Sequence, residues 1–255
     1  MNLADCMAII TGGASGLGEA CVQSIVDGGG RAAIFDVQAD KGDALVKELG
    51  ENVVFLETDV TSDESVQAGV KKAVDAFGSI NVVINCAGIG VAEKIIGKRG
   101  PMSIANFEKV VQLNLIGTMR VIRYAVEQMV NNTPNDEGGR GVIINTGSAA
   151  ATDGQVGQPA YSASKAGVVG MTLPIARECA EYGIRCCTIN PGIFDTPMLA
   201  QLPESVRDAL GKMVPFPQRL GRPSEYAQLA RHIIENPMLN GEVIRLDGSI
   251  RMAAK

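Results

Sequence analysis

Tyr161 and Lys165 stand four residues apart in Pro159-Ala-Tyr-Ser-Ala-Ser-Lys165, and Ser148 precedes the tyrosine by thirteen residues. Positions i and i+4 share a helix face, so this spacing sets an ammonium beside a phenol. A free tyrosine titrates near pH ~10, and a fixed positive charge nearby favours its phenolate. The expectation is a lowered Tyr161 pKa and a phenol able to exchange a proton with an alcohol or carbonyl oxygen. A bare Tyr/Lys pair also fits an exposed helix face, so the chemistry needs further residues behind it.

Those residues are present. Thr11-Gly-Gly-Ala-Ser-Gly-Leu-Gly18 follows an apolar run and precedes a helical pattern. Gly12, Gly16 and Gly18 let a turn close and let a pyrophosphate approach the backbone, where a helix N-terminus offers N–H groups and a positive dipole end. Eighteen residues on, Ile34-Phe-Asp36 ends a second apolar run. An acid there accepts from adenosine ribose hydroxyls and repels a 2′-phosphate. Val37-Gln-Ala39 supplies no cation, and neither do Ala14 and Ser15, so the reading is NAD rather than NADP. Asp59-Val60 suits an adenine contact, although Asp59 could equally cap a helix starting near Ser62. Asn85-Cys-Ala-Gly88 offers small residues for a ribose, and Asn85 could instead tie neighbouring strands together. Arg31 reads as a solvated charge, and His232 as a helix-surface residue.

These groups need a scaffold. Apolar runs at residues 7–11, 31–36, 53–58, 81–85, 141–146, 183–190 and 241–246 alternate with helical patterns at 16–27, 41–49, 62–77, 104–130, 160–181 and 224–235. Continuous apolar strands between helices imply a parallel sheet covered on both faces. The fold class is α/β: one doubly wound Rossmann domain over residues 1–255, with seven parallel strands. Residues 131–139 read as a polar surface loop. Residues 194–221, interrupted by Pro197, Pro203, Pro215 and Pro217, read as a substrate lid or a rigid surface excursion.

Composition narrows the class. A net charge of −5 argues against a nucleic-acid or anionic-membrane surface. No run reaches the ~18 apolar residues of a membrane span. The six cysteines form no CxxC pair and the one histidine has no cysteine cluster beside it, so the cysteines read as buried free thiols and no metal site is expected. Met1-Asn-Leu-Ala-Asp-Cys lacks the marks of a secretory or organelle leader, which points to a cytoplasmic protein.

Together the motifs at residues 11–18, 59–60, 85–88, 114, 148, 161/165 and 191–192 resemble the short-chain dehydrogenase/reductase family, in its order and over essentially the whole chain. Within it the likeness is to the branch of 3-hydroxyacyl-CoA dehydrogenases. It is carried by Gly141-Val-Ile-Ile-Asn-Thr, Gly154-Gln-Val-Gly-Gln, Val214-Pro-Phe-Pro and residues 240–248, and by the extra stretch 93–102. The resemblance implies Tyr161 as general base or acid, Lys165 on the nicotinamide ribose, and Ser148 on the substrate oxygen. It implies Asn114 holding a water that links Lys165 to solvent. Cofactor contacts would come from Gly12, Ser15, Gly16, Leu17, Gly18, Asp36, Asp59, Val60, Asn85, Ala87, Gly88, Pro191 and Gly192. Ile193 and Thr196 would meet the carboxamide.

The implied substrate couple is 3-hydroxyacyl-CoA and 3-ketoacyl-CoA, as in fatty acid metabolism, in a homotetramer paired through helices 104–130 and 160–181. Lys94, Lys98 and Arg99 would then form a basic patch for the CoA phosphates, or only a solvated loop. Two departures from the branch, Thr152 where an aromatic is expected and Asp195 where glycine is, bear on substrate choice. Free ketones, small secondary alcohols or hydroxysteroids are the alternative substrates. Reduction of 3-oxoacyl carrier protein draws on NADPH, against which Asp36 argues. A non-catalytic NAD-binding scaffold would not need the complete set of Ser148, Tyr161, Lys165 and Asn114.

Overall fold

The computed structural model describes every residue except Arg99, Gln201 and Lys255, and leaves the Met198 side chain aside. Seven strands form one parallel sheet: β1 (Met7–Thr11), β2 (Arg31–Asp36), β3 (Val53–Glu57), β4 (Val82–Asn85), then, after a small antiparallel hairpin of β5 (Ile96–Gly97) and β6 (Gly100–Pro101), β7 (Gly141–Thr146), β8 (Ile184–Pro191) and β9 (Val243–Leu246). Their order is β3-β2-β1-β4-β7-β8-β9. The expected α/β sheet is therefore found, and the order reverses between β1 and β4, where such folds open a crevice beyond the strand ends.

Helices α1 (Gly16–Asp27), α2 (Ala39–Leu49), α3 (Asp63–Phe77), α4 (Ile104–Val111), α5 (Thr118–Met129), α6 (Pro159–Cys179), α7 (Pro197–Ala200), α8 (Glu204–Lys212) and α9 (Pro223–Glu235) connect them. Their starts follow the local chemistry. The Ser62 and Ser103 hydroxyls accept from the N–H groups of Ser65 and Asn106. Pro159 and Pro223 open α6 and α9. Gly78 ends α3 at φ 85°, which costs glycine little.

Successive strand residues face opposite layers. Ile10, Ile34, Ile84 and Ile144 pack with Cys21, Val22, Tyr226 and Ile233 under α1 and α9. Ile9, Ala33, Val83 and Ile143 pack with Val66, Val70, Ala125 and Ile175 under α3, α5 and α6. Two-sided burial is why these strands read as continuous apolar runs.

The expected single helix over 104–130 departs from plan in its middle. Gln112–Gly117 forms a π-turn between α4 and α5. Gly117 lies against Val60 there, since an added Cβ would stand 2.9 Å from Val60 Cγ2. The widened turn directs Asn114 inward, as π-turns often do at functional sites.

Ile84 is 1 % exposed on β4, which pairs with both β1 and β7. Ile84→Ala leaves a cavity there and is expected to cost about 2–5 kcal/mol. In urea titration the midpoint should fall while the slope stays unchanged.

Candidate active site

The carboxyl ends of β1, β2, β4, β7 and β8 open into one cavity of about 670 Å³, a size typical of small-molecule sites. One end is lined by Gly12, Ser15, Gly16, Leu17, Gly18 and Asp36, and the other by Ser148, Tyr161 and Lys165. Asp59, Val60, Ala87, Gly88, Pro191, Gly192, Ile193 and Thr196 also reach it. Lys165 is the only cationic side chain among the described residues of the lining.

The glycine loop shows why glycines stand there. Gly12 has φ 63°, and a Cβ on it would stand 2.9 Å from the Ala87 backbone N. A Cβ on Gly18 would strike the Gly12 carbonyl. Thr11 Oγ1 accepts from the Ala87 N–H at 3.1 Å, so the loops after β1 and β4 brace one another. Asp36 Oδ2 accepts from the Ala14 N–H at 3.2 Å, and Oδ1 from Gln38. The carboxylate thereby spans the glycine loop and the end of β2. An open backbone cradle facing an acid, with no cation beside it, fits the adenosine pyrophosphate of a nicotinamide dinucleotide.

At the other end, helix α6 presents Tyr161 and Lys165 on one face. Lys165 Nζ donates to the Thr146 carbonyl at 2.7 Å and stands 5.9 Å from the Tyr161 ring centre. Lys165 is 3 % exposed. Burial pushes its pKa down from 10.5 to about 8, with the Cys86 thiol opposing. The expected lowering of Tyr161 by Lys165 is not what the free protein shows. Burial pushes the phenol up, and a hydrogen bond with the Ser148 side chain pulls the other way. In a crowded, poorly solvated pocket the loss of hydration decides the direction.

Ser148 is held from both sides. Its N–H donates to Asn190 Oδ1 at 3.1 Å, and its Oγ accepts from the Ala150 N–H at 3.1 Å. Gly147 makes this possible, because a Cβ there would collide with Asn190 Oδ1. Asn190, on β8, carries no sequence signal and was missed.

Two expected site residues stand behind the cavity wall. Asn85 is 3 % exposed and donates to Asn145 Oδ1 at 2.9 Å across β4 and β7. It ties strands together, the second of its two readings. Asn114 is fully buried. Its Oδ1 accepts from Ile89 N–H at 2.8 Å, and its Nδ2 donates to Ile89 O and Ser164 Oγ. Its side chain thus clamps the loop after β4 to α6. Asp59 is not a helix cap: Ser62 caps α3, and Asp59 Oδ1 accepts from Thr61 N–H and Oγ1.

The two departures noted for substrate choice also lie outside the lining. Thr152 Oγ1 accepts from Arg245 at 2.9 Å, and Asp195 pairs with Arg207 at 3.6 Å. Gln158, Leu199, Leu202 and Met252 do line the cavity, without any motif to announce them. Of the basic patch, Lys94 and Lys98 are exposed, and Arg99 lies outside the described residues. No group of three or more possible metal ligands occurs among the described residues.

Two hydroxyls, Ser148 and Tyr161, at one end of a cavity whose other end is a glycine loop and an acid suit an enzyme that interconverts alcohols and carbonyls. The comparisons agree. A family model described as short chain dehydrogenase matches residues 6–207. The chain is 52 % identical to the 3-hydroxyacyl-CoA dehydrogenase type-2 of Drosophila melanogaster, over 96 % of this chain and 97 % of that one. It is 54 % identical to the human protein of that name, over 96 % and 95 %. A crystal structure of 3-hydroxyacyl-CoA dehydrogenase type-2 from Mycobacterium avium superposes with TM-score 0.93 at 40 % identity, covering 97 % of this chain and 96 % of that one. The chain belongs to the short-chain dehydrogenase family, and it is an oxidoreductase acting on CH–OH groups.

The buried ammonium of Lys165 gives a test in the free protein. A folded-state pKa of about 8 against 10.5 means the unfolded chain binds more protons between those values, so this group's contribution to stability rises with pH across that window. Below pH 8 both states are protonated and the full penalty is present. Relative to Lys165→Met, wild type should gain on the order of 3 kcal/mol from pH 8 to 10.5. Parallel urea midpoints for the two proteins over that range would contradict the assignment.

Proposed function

We propose that the protein interconverts 3-hydroxyacyl-CoA and 3-ketoacyl-CoA, using NAD and NADH. The observation that carries this reading is a single cavity with Ser148, Tyr161 and Lys165 at one end and Asp36, without a cation, at the other. The nicotinamide supplies the hydride acceptor or donor. Tyr161 takes the alcohol proton in oxidation and returns it to the carbonyl oxygen in reduction. Ser148 donates to the same oxygen and stabilises its developing charge. Lys165, with one donor fixed on the Thr146 carbonyl, directs its remaining N–H groups to the nicotinamide ribose and the Tyr161 side. Asn114 holds the loop and α6 at the spacing this requires. Asp36 accepts from the adenosine ribose hydroxyls and repels a 2′-phosphate. Thr196 and Ile193 hold the carboxamide from the rim, and residues 194–221 act as the lid.

The lid reading is supported by its anchoring. Its two ends are joined by Gly221 N–H to Ile193 O at 2.9 Å and Asp195 N–H to Gly221 O at 2.8 Å. Inside these ends, Pro197 approaches the glycine loop, 3.2 Å from the place of a Gly16 Cβ. The names of the relatives support the thioester. Lys94 and Lys98 give its phosphates a cationic landing outside the cavity. Free ketones and secondary alcohols remain the second reading, favoured by a cavity whose walls are largely apolar and, among the described residues, carry no cation beyond Lys165.

The test is NADH oxidation against acetoacetyl-CoA and a free ketone of similar size, each repeated with NADPH. The expected result is efficient turnover of the thioester with NADH, at least tenfold above NADPH. Lys94→Ala with Lys98→Ala should raise the thioester KM and leave the ketone KM in place. Tyr161→Phe should lose 10²-fold or more in kcat while still binding NADH. Turnover of the ketone alone would move the protein to the second reading.

We also infer a homotetramer. Exposed Ile104, Ile116, Met119 and Leu173 are spread over α4, the π-turn, α5 and α6, and such apolar surface favours burial against another copy. Sedimentation equilibrium should give four times the chain mass, and a monomer at micromolar concentration would refute it.

A further inference from the structure

The chain's last residues form part of the catalytic cavity, a role no motif assigns. After β9 the backbone turns at Ser249, whose φ of 69° is left-handed. Asp247 holds this turn: its Oδ1 accepts from the Ser249 N–H at 3.0 Å, and its carbonyl from the Ile250 N–H at 3.1 Å. Ile250 is 1 % exposed, and Met252 then reaches the cavity.

A cluster of four charges fixes this path. Arg245 Nη2 lies 2.8 Å from Asp153 and 2.6 Å from Asp247. Arg245 also donates to Thr152 Oγ1 and to the Ile250 carbonyl. Arg251 adds a pair to Asp247 at 3.3 Å and a longer one to Asp153 at 4.0 Å. Asp247 and Asp153 are 7 % and 18 % exposed in their side chains and Arg245 25 %, so the Arg245 pairs are less screened than surface ones, whereas Arg251 is 64 % exposed. Beyond the cluster, Val156 N–H donates to Ala254 O at 3.0 Å and Gln155 Nε2 to Ala253 O at 2.9 Å.

The partners outside the tail, Thr152, Asp153, Gln155 and Val156, lie on the segment that joins Ser148 to α6. The tail therefore meets the cavity at the Ser148 and Tyr161 end, near Gln158, and not at the Asp36 end. Gln158 is itself tied into the segment, with its Oε1 accepting from the Gln155 N–H at 3.1 Å.

We propose that Met252 is a specificity-determining residue: its thioether side chain bounds the space for the substrate's carbon chain, and the Arg245–Asp153–Asp247–Arg251 cluster is the clamp that holds it there. This rests on the alcohol–carbonyl reading of the same site. Methionine suits the position, because an unbranched, polarisable side chain can adjust to chains of differing shape. Arg245 and Asp153 act only through the tail and are positioning residues.

The test compares Met252→Ala and Met252→Phe with wild type over 3-ketoacyl-CoA thioesters of increasing chain length and α-branching, and over free ketones of matching size. Met252→Ala should raise kcat/KM for the bulkier members relative to the smallest by roughly tenfold, and Met252→Phe should lower it similarly. The melting temperature and NADH Kd should stay unchanged in both. Asp153→Asn should raise the KM for all members without changing the NADH Kd, and Asp153→Glu should restore it. A wild type active on ketones alone would sink the thioester reading, and the ketone series would still report on Met252. Size profiles parallel to wild type in both Met252 variants, in whichever series is turned over, would overturn the proposal.

Discussion

A charged amine buried at the end of a parallel sheet is the constraint around which this molecule is organised. Lys165 is 3 % exposed, yet its ammonium meets a backbone carbonyl of β7 at 2.7 Å. Transfer of such a group from water is costly unless it is bonded. β4 pairs with β7 only as far as Asn85 and Asn145, and Thr146 lies one residue beyond that pairing. The Lys165 bond fixes helix α6 to the sheet by the face that carries Tyr161 and Lys165. Thr146 is itself braced, with its hydroxyl 2.7 Å from the Tyr226 hydroxyl on α9. The ammonium's position is therefore determined from both layers of the fold.

The same constraint explains why the phenol and the amine do not tune one another as their spacing suggests. Helical spacing puts them on one face, but the face is turned into the protein. Desolvation then raises Tyr161 and lowers Lys165, each toward its neutral form. Ser148 supplies the counterweight on the phenol through a hydrogen bond. Its own direction is set by Asn190 through a gap that only a glycine at 147 leaves open. The Tyr161 phenol is thus governed by Ser148 after β7 and Asn190 on β8 as well as by its place on α6.

How much of this was legible follows from what each part depends on. The strands were readable because two-sided burial forces continuous apolar runs, and the glycine loop because close backbone approach excludes a Cβ at Gly12 and Gly18. Tyr161, Lys165 and Ser148 were readable from spacing that a helix and a strand end enforce. Asn85 and Asn114 were assigned to the site by resemblance, and the structure puts both behind its wall, where Asn85 bonds Asn145 and Asn114 bonds Ile89 and Ser164. The π-turn at Gln112–Gly117 could not be read from sequence. Its apolar pattern runs on from that of α4, and the turn lies where Gly117 packs against Val60, a contact far away in the chain.

The substrate half was the least legible, for a physical reason. The dinucleotide half is built from strand ends and one helix start, whose geometry is local and leaves a pattern of glycines and an acid. The substrate half is assembled from segments far apart in the chain: the loop after β4, residues 149–158, the lid and the tail at Met252. Their contacts are set by tertiary pairs such as Arg245 with Asp153, 92 positions apart. Thr152 illustrates the consequence. Judged against an aromatic at that place it looks like a change in the pocket, yet its hydroxyl accepts from Arg245 and takes no part in the wall. A substitution at position 152 would therefore reach the cavity only through Arg245 and the tail that Arg245 holds, a route that no local pattern in the sequence records.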